Sequence, residues 1–495
     1  MTPPLAGIDV DGALEELRDK NALARLLAGD HTLWQDDPTE VADRLGWLPV
    51  REEMRARLPE LESFASEVVA DGLAHVVLLG MGGSSLFPEV LSRTFGGRRC
   101  DLRVLDTTDP AAIARVAEDL DLERCLFVVA SKSGTTIETR TQLDHFWELT
   151  GGDGRRFVVV TDPGSELAAW GETNDVRRVW ENRPDIGGRY SALSLFGLVP
   201  GALLGVDLAA VLDRSLGADL EEGVQLAAVL GAAARAGRDK LTLLLPNKVA
   251  SFGLWLEQLV AESTGKRGTG ILPVVGEPLG SVDVYGDDRL FVALGEGVEL
   301  GDHPVLALPF GDSLDIGEQV VRWEVAIALT GVLLGINPFD QPDVAAAKAA
   351  TSKVLAGESH GDTVEEPIGE LLATVGPRDH VCIQAFVDPG DDRLLVGLER
   401  ARLSIRDELR VATTIGIGPR FLHSTGQLHK GGPPNGVYLQ VVADDPVDVS
   451  IPDRPYTFSG LKHAQAAGDL FTLRERGLRA ARVSLKELLN MGAGT

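Results

Sequence analysis

The sequence predicts an α/β chain built on doubly wound parallel sheets. Apolar runs of strand length alternate with helical patterns from residue 70 to 190, and the alternation returns from 241 to 334. In addition, two loops rich in glycine or hydroxyl residues each follow an apolar run and precede a helix. That is where open parallel sheets hold their ligands. At 495 residues the chain has room for two to four domains, at roughly 100–200 residues each.

In chain order, residues 1–69 read as a helical segment with charged faces, over Asp11–Leu27 and Pro38–Leu61. Strands are expected at His75–Gly80, Arg103–Asp106, Leu126–Ala130, Phe157–Thr161 and, last and shortest, Val179–Trp180, so 70–190 forms a first α/β domain. A small-residue apolar stretch, Leu193–Leu230, reads as helical. A second α/β domain over 191–355 contains Leu241–Pro246, helix Val249–Ser263, Leu290–Leu294, Val305–Pro309 and helix Ile316–Leu334. The region 356–495 begins as a polar, acidic linker to about 380. It then carries strands Val381–Val387 and Val437–Ala443 around helix Leu394–Leu409, and ends in helices.

Composition narrows the partners. Apolar residues make up 44% and charged residues 24%, enough for an ordinary globular core. Apolar runs break before bilayer length, and the N-terminal MTPPLAGIDVDG has no basic–apolar signal pattern, so a cytoplasmic protein without membrane contact is expected. The net charge of −27 argues against nucleic acid. Cys100, Cys125 and Cys382 lie far apart in apolar contexts and read as buried thiols, neither disulfide-forming nor metal-binding.

The most informative string is SKSGTTIET, residues 131–139. Its small hydroxyl residues precede a helix whose first N–H groups and dipole favour an anion. Ser131, Ser133, Thr135 and Thr136 add hydroxyls, and Lys132 adds a cation. Upstream, Met81–Ser85 (MGGSS) repeats the construction, with glycines for close backbone approach and Ser84 and Ser85 as donors. Neither loop is a Walker motif or a dinucleotide fingerprint. A phosphomonoester on a small sugar fits best.

Further along, QLVAESTGK places Gln258 and Glu262 one helical turn apart on a mostly apolar helix, where a carboxylate can serve as a general base. In DIGGRYS, Arg189 follows two glycines and can stabilise an oxyanion. In NPFDQPDVAAAK, Pro342 is expected to start a helix that sets Gln341 and Lys348 two turns apart on one face. In FLHSTGQLHKGG, His423 is suited to moving protons on a ring oxygen. His31 and His145 read as structural.

Together these strings closely resemble the glucose-6-phosphate isomerase family, built on two sugar isomerase (SIS) domains. The motifs GMGGSS, SKSGTT, GGRYS, Q-x-x-x-E-S-x-G-K and F-D-Q followed by a lysine occur in the family's order across roughly residues 75–350. The resemblance implies two SIS-type sheets of flavodoxin-like three-layer form, with a helical N-terminal arm and a C-terminal α/β extension. It implies phosphate contacts from Ser131, Lys132, Ser133 and Thr136, and sugar or backbone-loop contacts from Gly83 and Ser84. Gln258 and Gln341 would position substrate, Glu262 would shuttle the proton between C1 and C2, Arg189 would steady an enediolate, and Lys348 would assist ring opening. No metal or organic cofactor is implied, and a homodimer is.

Two departures stand out. The family's ring-opening histidine normally lies between the glutamate and the final lysine, where this chain has only His303 in GDHPVL. LHSTGQ around His423 resembles the histidine motif far better, although it follows Lys348. In the family that histidine comes from a neighbouring subunit, and the arrangement here is similar to the isomerase portion of bacterial fused transaldolase–isomerases. Glu358 in GESHG also resembles the base motif of longer members, but Val354 stands where the glutamine should be. Two alternatives to a glucose 6-phosphate/fructose 6-phosphate isomerase follow: an isomerase acting also on mannose 6-phosphate, and a non-catalytic SIS regulator that binds sugar phosphates.

Overall fold

The structure is a computed structural model that describes residues 5–295, 301, 303–357 and 364–492. Glu358 lies outside these. Three parallel sheets with helices between them form the α/β architecture the sequence predicts.

The chain opens with α1 (Val10–Asp19), α2 (Ala22–Leu27) and α3 (Val50–Ala70). The continuous helix expected over Asp11–Leu27 is broken because Asn21 turns left-handed at φ 50° and starts α2. The one expected from Pro38 begins only at Val50; before it, residues 42–44 form a short 3-10 turn with a non-helical residue inside. The first sheet follows: β1 (His75–Gly80), α4 (Leu86–Phe95), β2 (Asp101–Leu105), α5 (Pro110–Asp119), β3 (Cys125–Ala130), α6 (Ile137–Leu149), β4 (Phe157–Thr161), α7 (Glu166–Thr173) and β5 (Arg178–Glu181). Its strand order is β2-β1-β3-β4-β5.

Both faces of this sheet are covered, as its continuous apolar strands require. Val76, Leu78, Leu126, Val128, Val158 and Val160 point into one core, and Val77, Leu79, Phe127, Val129, Phe157 and Val159 into the other. This is the period of two expected of a strand. In register, Gly80 pairs with Ala130, so the MGGSS and SKSGTT loops leave the sheet side by side.

Helices α8 (Leu195–Leu204), α9 (Leu208–Leu216) and α10 (Leu220–Arg235) lead to the second sheet. It consists of β6 (Lys240–Leu244), α11 (Phe252–Thr264), β7 (Leu272–Val275), β8 (Arg289–Leu294), β9 (Val305–Leu308) and the buried helix α12 (Ile316–Leu334), with strand order β7-β6-β8-β9. One continuous apolar core joins this sheet, the N-terminal helices and one face of the first sheet.

Next comes α13 (Val344–Leu355); Pro342 does not start it but sits in the turn before it. The expected linker contains α14 (Ile368–Leu372), anchored by buried Ile368 and Leu372. The third sheet has the order β11-β10-β12-β13. Its elements are β10 (His380–Phe386), α15 (Asp392–Leu409), β11 (Ala412–Ile417), α16 (Gly426–Gly431), β12 (Gly436–Val442), α17 (Phe458–Glu475), β13 (Arg479–Arg482) and α18 (Leu485–Met491). The chain therefore does not end in helices alone, since β13 separates the last two. Phe458 and Leu461 of α17 reach into the second core of the first sheet. Among the described residues, no helix is long and apolar enough to cross a membrane.

Candidate active site

The two loops at the C-terminal edge of the first sheet open into a cavity of about 530 Å3. Gly83, Ser84, Lys132, Ser133, Thr136, Gln258, Glu262, Gln341, Lys348 and His423 all line it. Two expected residues stand behind the wall. Ser131 is buried, and its Oγ accepts from the Gly134 N–H at 3.1 Å and lies 3.0 Å from Thr136 Oγ1, bracing the loop from within. Arg189 reaches Glu262 from the far side.

The SKSGTT loop carries the anion-binding geometry. Thr136 caps α6 without spending its side chain on the helix, so it leaves the first-turn N–H groups uncapped. Ser133 Oγ and Thr135 Oγ1 lie 3.0 Å apart. Lys132 pairs with Asp162 and donates to the Pro184 carbonyl at 2.6 Å. Burial pushes the Asp162 carboxyl above its usual range, and Lys132 only partly opposes this. A second cation, Arg44, enters the same end of the cavity from the N-terminal segment. It sits among Glu40 and Asp43 in sequence and gives no motif signal.

The MGGSS turn is where glycine is indispensable. Gly82 has φ +55°, and a Cβ there would lie 2.8 Å from the His423 carbonyl and 2.9 Å from Gln258 Nε2. A Cβ on Gly83 would sit 2.0 Å from the Gly188 carbonyl oxygen. The turn and the GGRYS segment are thus packed backbone to backbone.

Opposite lies α11. Its turn spacing sets Gln258 Nε2 3.0 Å from Glu262 Oε2, and the same amide donates to the His423 carbonyl at 2.8 Å. Glu262 Oε1 meets Arg189 Nη1 at 2.9 Å. Arg189, 2% exposed, is fully engaged: Nε donates to Ser263 Oγ at 2.9 Å and Nη2 to the carbonyls of Pro338 and Asp340. A buried carboxylate held between a guanidinium and an amide is fixed in place yet open on the cavity side. Lys266 stands beside it, its ammonium on Asp340; burial and the Arg189 charge bring it down to about 8.

His423 closes a 3-10 turn, Arg420–His423, that follows β11. Its ring Nε2 lies 2.8 Å from Glu138 Oε1, on the first turn of α6, and Gln465 Nε2 donates to the same oxygen at 2.7 Å. Burial works against ionising Glu138, but the charge and hydrogen bond of His423, with Lys348 nearby, more than offset it and hold the carboxyl below its ordinary range. Glu138 was not among the residues singled out from sequence. It lies inside SKSGTTIET, where an acid in the first helical turn looks like ordinary dipole matching. His303, by contrast, holds the Gly280 carbonyl at 2.9 Å and does not line the cavity.

The sequence model of the phosphoglucose isomerase family matches residues 48–270. Residues 48–270 therefore belong to the phosphoglucose isomerase family. A protein named glucose-6-phosphate isomerase from Rubrobacter xylanophilus is 28% identical over 426 residues, covering 70% of this chain and 95% of that one. One of the same name from Geobacter sulfurreducens is 30% identical over 350 residues, 57% of this chain and 66% of that one. Among solved structures, a hypothetical protein from Thermus thermophilus aligns with TM-score 0.61 at 26% identity, over 72% of this chain and 99% of that chain. A glucose-6-phosphate isomerase from Chlamydia trachomatis shares the fold at TM-score 0.56 and 19% identity, over 71% and 86% of the two chains. The phosphoglucose isomerase match includes both glycine/hydroxyl loops, Arg189, Gln258 and Glu262. It stops before Gln341, Lys348 and His423.

Proposed function

We propose that this chain interconverts glucose 6-phosphate and fructose 6-phosphate. The carrying observation is that one cavity holds an anion loop at one end, a buried carboxylate clamped by Arg189 on its wall, and His423 with Lys348 near the anion loop. The phosphate docks on Lys132, Ser133, Thr136 and the α6 N–H groups, over a loop that Ser131 braces. Ring opening comes first. His423, oriented by Glu138, and the exposed Lys348 move the proton between the ring oxygen and the anomeric hydroxyl. Glu262 then takes the C2 proton, acidified by the adjacent carbonyl, and a cis-enediolate forms. Positive charge from Arg189 stabilises the developing oxyanion, the kind of term that dominates such steps. Glu262 returns the proton to C1, while Gln258 and Gln341 hold the sugar and Gly83 and Ser84 shape the floor.

On this reading the protein is a cytoplasmic homodimer at the glucose–fructose step of glycolysis and gluconeogenesis. A coupled assay of fructose 6-phosphate conversion tests it, with mannose 6-phosphate alongside. Conversion of both would mean the dual isomerase, and binding without conversion the regulator. Glu262→Gln should lower kcat by about 10²–10⁴-fold, the range for losing a general base. Binding of inorganic phosphate, measured calorimetrically, should be nearly unchanged because the anion loop is separate. Near-normal turnover in that variant would remove Glu262 as the base.

A further inference from the structure

The third sheet supplies His423, and something must hold that residue against an α6 carboxylate that belongs to the first sheet. In a 3-10 turn, side chains three apart lie over one another on the same side. Arg420 and His423 are three apart in such a turn. Both point to the first sheet's carboxyl edge: His423 to Glu138, Arg420 to Asp106 and Glu89. Arg420 Nε and Nη2 grip the two oxygens of Asp106 at 2.7 and 2.8 Å, and Nη2 lies 2.8 Å from Glu89 Oε2. Asp106 directly follows β2, Glu89 lies on α4, and both carboxylates are buried. Ser85 of the MGGSS turn donates its Oγ to Asp106 at 3.3 Å. The same guanidinium therefore ties the histidine turn to the element that floors the cavity.

We propose that Arg420 is a positioning residue for the ring-opening step, acting through His423. The inference rests on the reading of His423 given above. Arg420 does not line the cavity and touches no reacting atom. Its planar fork is what two buried carboxylates require; a lysine supplies the charge without the bidentate geometry. A small displacement of His423 is enough to matter, since a misplacement of about 1 Å can cost on the order of 10²-fold in rate.

The test compares Arg420→Lys, His423→Asn and the double variant on ring-closed fructose 6-phosphate. It runs beside solvent exchange of the C2 proton in a 6-phosphate analogue lacking the hydroxyls that close a ring. Arg420→Lys keeps a cation opposite Asp106 and Glu89, and Asp106→Asn weakens the same grip from the other side should the first variant fold poorly. The expected result for either is a loss of about tenfold or more in kcat on the cyclic sugar. KM and open-chain exchange should stay close to the parent values, and Arg420→Lys should lose nothing more when added to His423→Asn. Equal losses on cyclic and open-chain compounds, or losses that multiply with His423→Asn, would make Arg420 a general structural residue and overturn the proposal. If Arg420→Lys is silent while His423→Asn is crippled on the cyclic sugar only, the proposal falls and the ring-opening reading stands. If His423→Asn spares the cyclic sugar, both fall.

Discussion

Glu257 shows how closely neighbouring carboxylates on one helix can differ. Glu262, five positions on, is charge-paired with Arg189, whereas Glu257 accepts from Ser424 Oγ at 3.2 Å and has only distant cations. Burial pushes it up to about 7, with Ser424, Arg420 and Arg402 pulling the other way. Between its ordinary value of 4.5 and about 7 the folded chain holds more protons than the unfolded chain. Its contribution is therefore complete below 4.5 and is lost as pH rises through about 7. Glu257→Gln should flatten the fall in stability from pH 5 to 8 and leave the variant relatively more stable at the alkaline end, as read by urea unfolding across that range. Parallel curves for the two proteins would refute this. Residue identity was most legible where spacing itself is chemistry, as for Gln258 and Glu262 on one helical face. Glu138 and Arg420 were not legible, because each acts across a seam between units far apart in sequence, and no local pattern encodes a partner about 280 positions away.

At the scale of elements, the sequence announced the central strands and hid three at the margins. β7, β11 and β13 are all edge strands. An edge strand pairs on one side only, so it tolerates what interior strands exclude: Pro273 in β7, the small and hydroxyl residues of β11, and the terminal arginines of β13. Helix boundaries were lost where a turn residue overrode periodicity, at Asn21 and at Pro342–Asp343. The MGGSS turn, in contrast, was readable as a close-approach element, and its tolerance can be measured. Gly83→Ala would drive a methyl into the Gly188 carbonyl, a backbone atom that cannot swing away. It should cost about 1–3 kcal/mol of stability and most of the activity. Gly187→Ala nearby meets only an Arg44 side-chain carbon at 3.8 Å, and should stay within about 0.5 kcal/mol of the parent. Equal unfolding midpoints for the two variants would contradict the close-packing argument.

For the whole molecule, the third sheet completes the cavity from within one chain. His423 belongs to the same polypeptide as Glu138 and Glu262, so the histidine and the carboxylates of the proposed site come from one chain. Activity per chain should therefore stay constant as the protein is diluted past dissociation of any dimer, with mass photometry reporting the assembly state. A fall in specific activity that tracks the loss of dimers would show that a second copy is needed after all. The third unit is also held firmly. Buried Lys462 of α17 joins Asp109 at the start of α5 to Asp445 after β12, and Arg402 and Arg406 of α15 surround buried Glu277 after β7. The seam meets at one side chain: the Gln258 amide touches Glu262 on its own helix and the His423 carbonyl from the third unit, and fills the space that a side chain on Gly82 of the first would need. Moving the third unit away would strip that amide of the His423 carbonyl and leave it Glu262 alone. Gln341 and Lys348 line the cavity as exposed residues around the start of α13, and a sugar that enters past them would leave the three-way joint untouched.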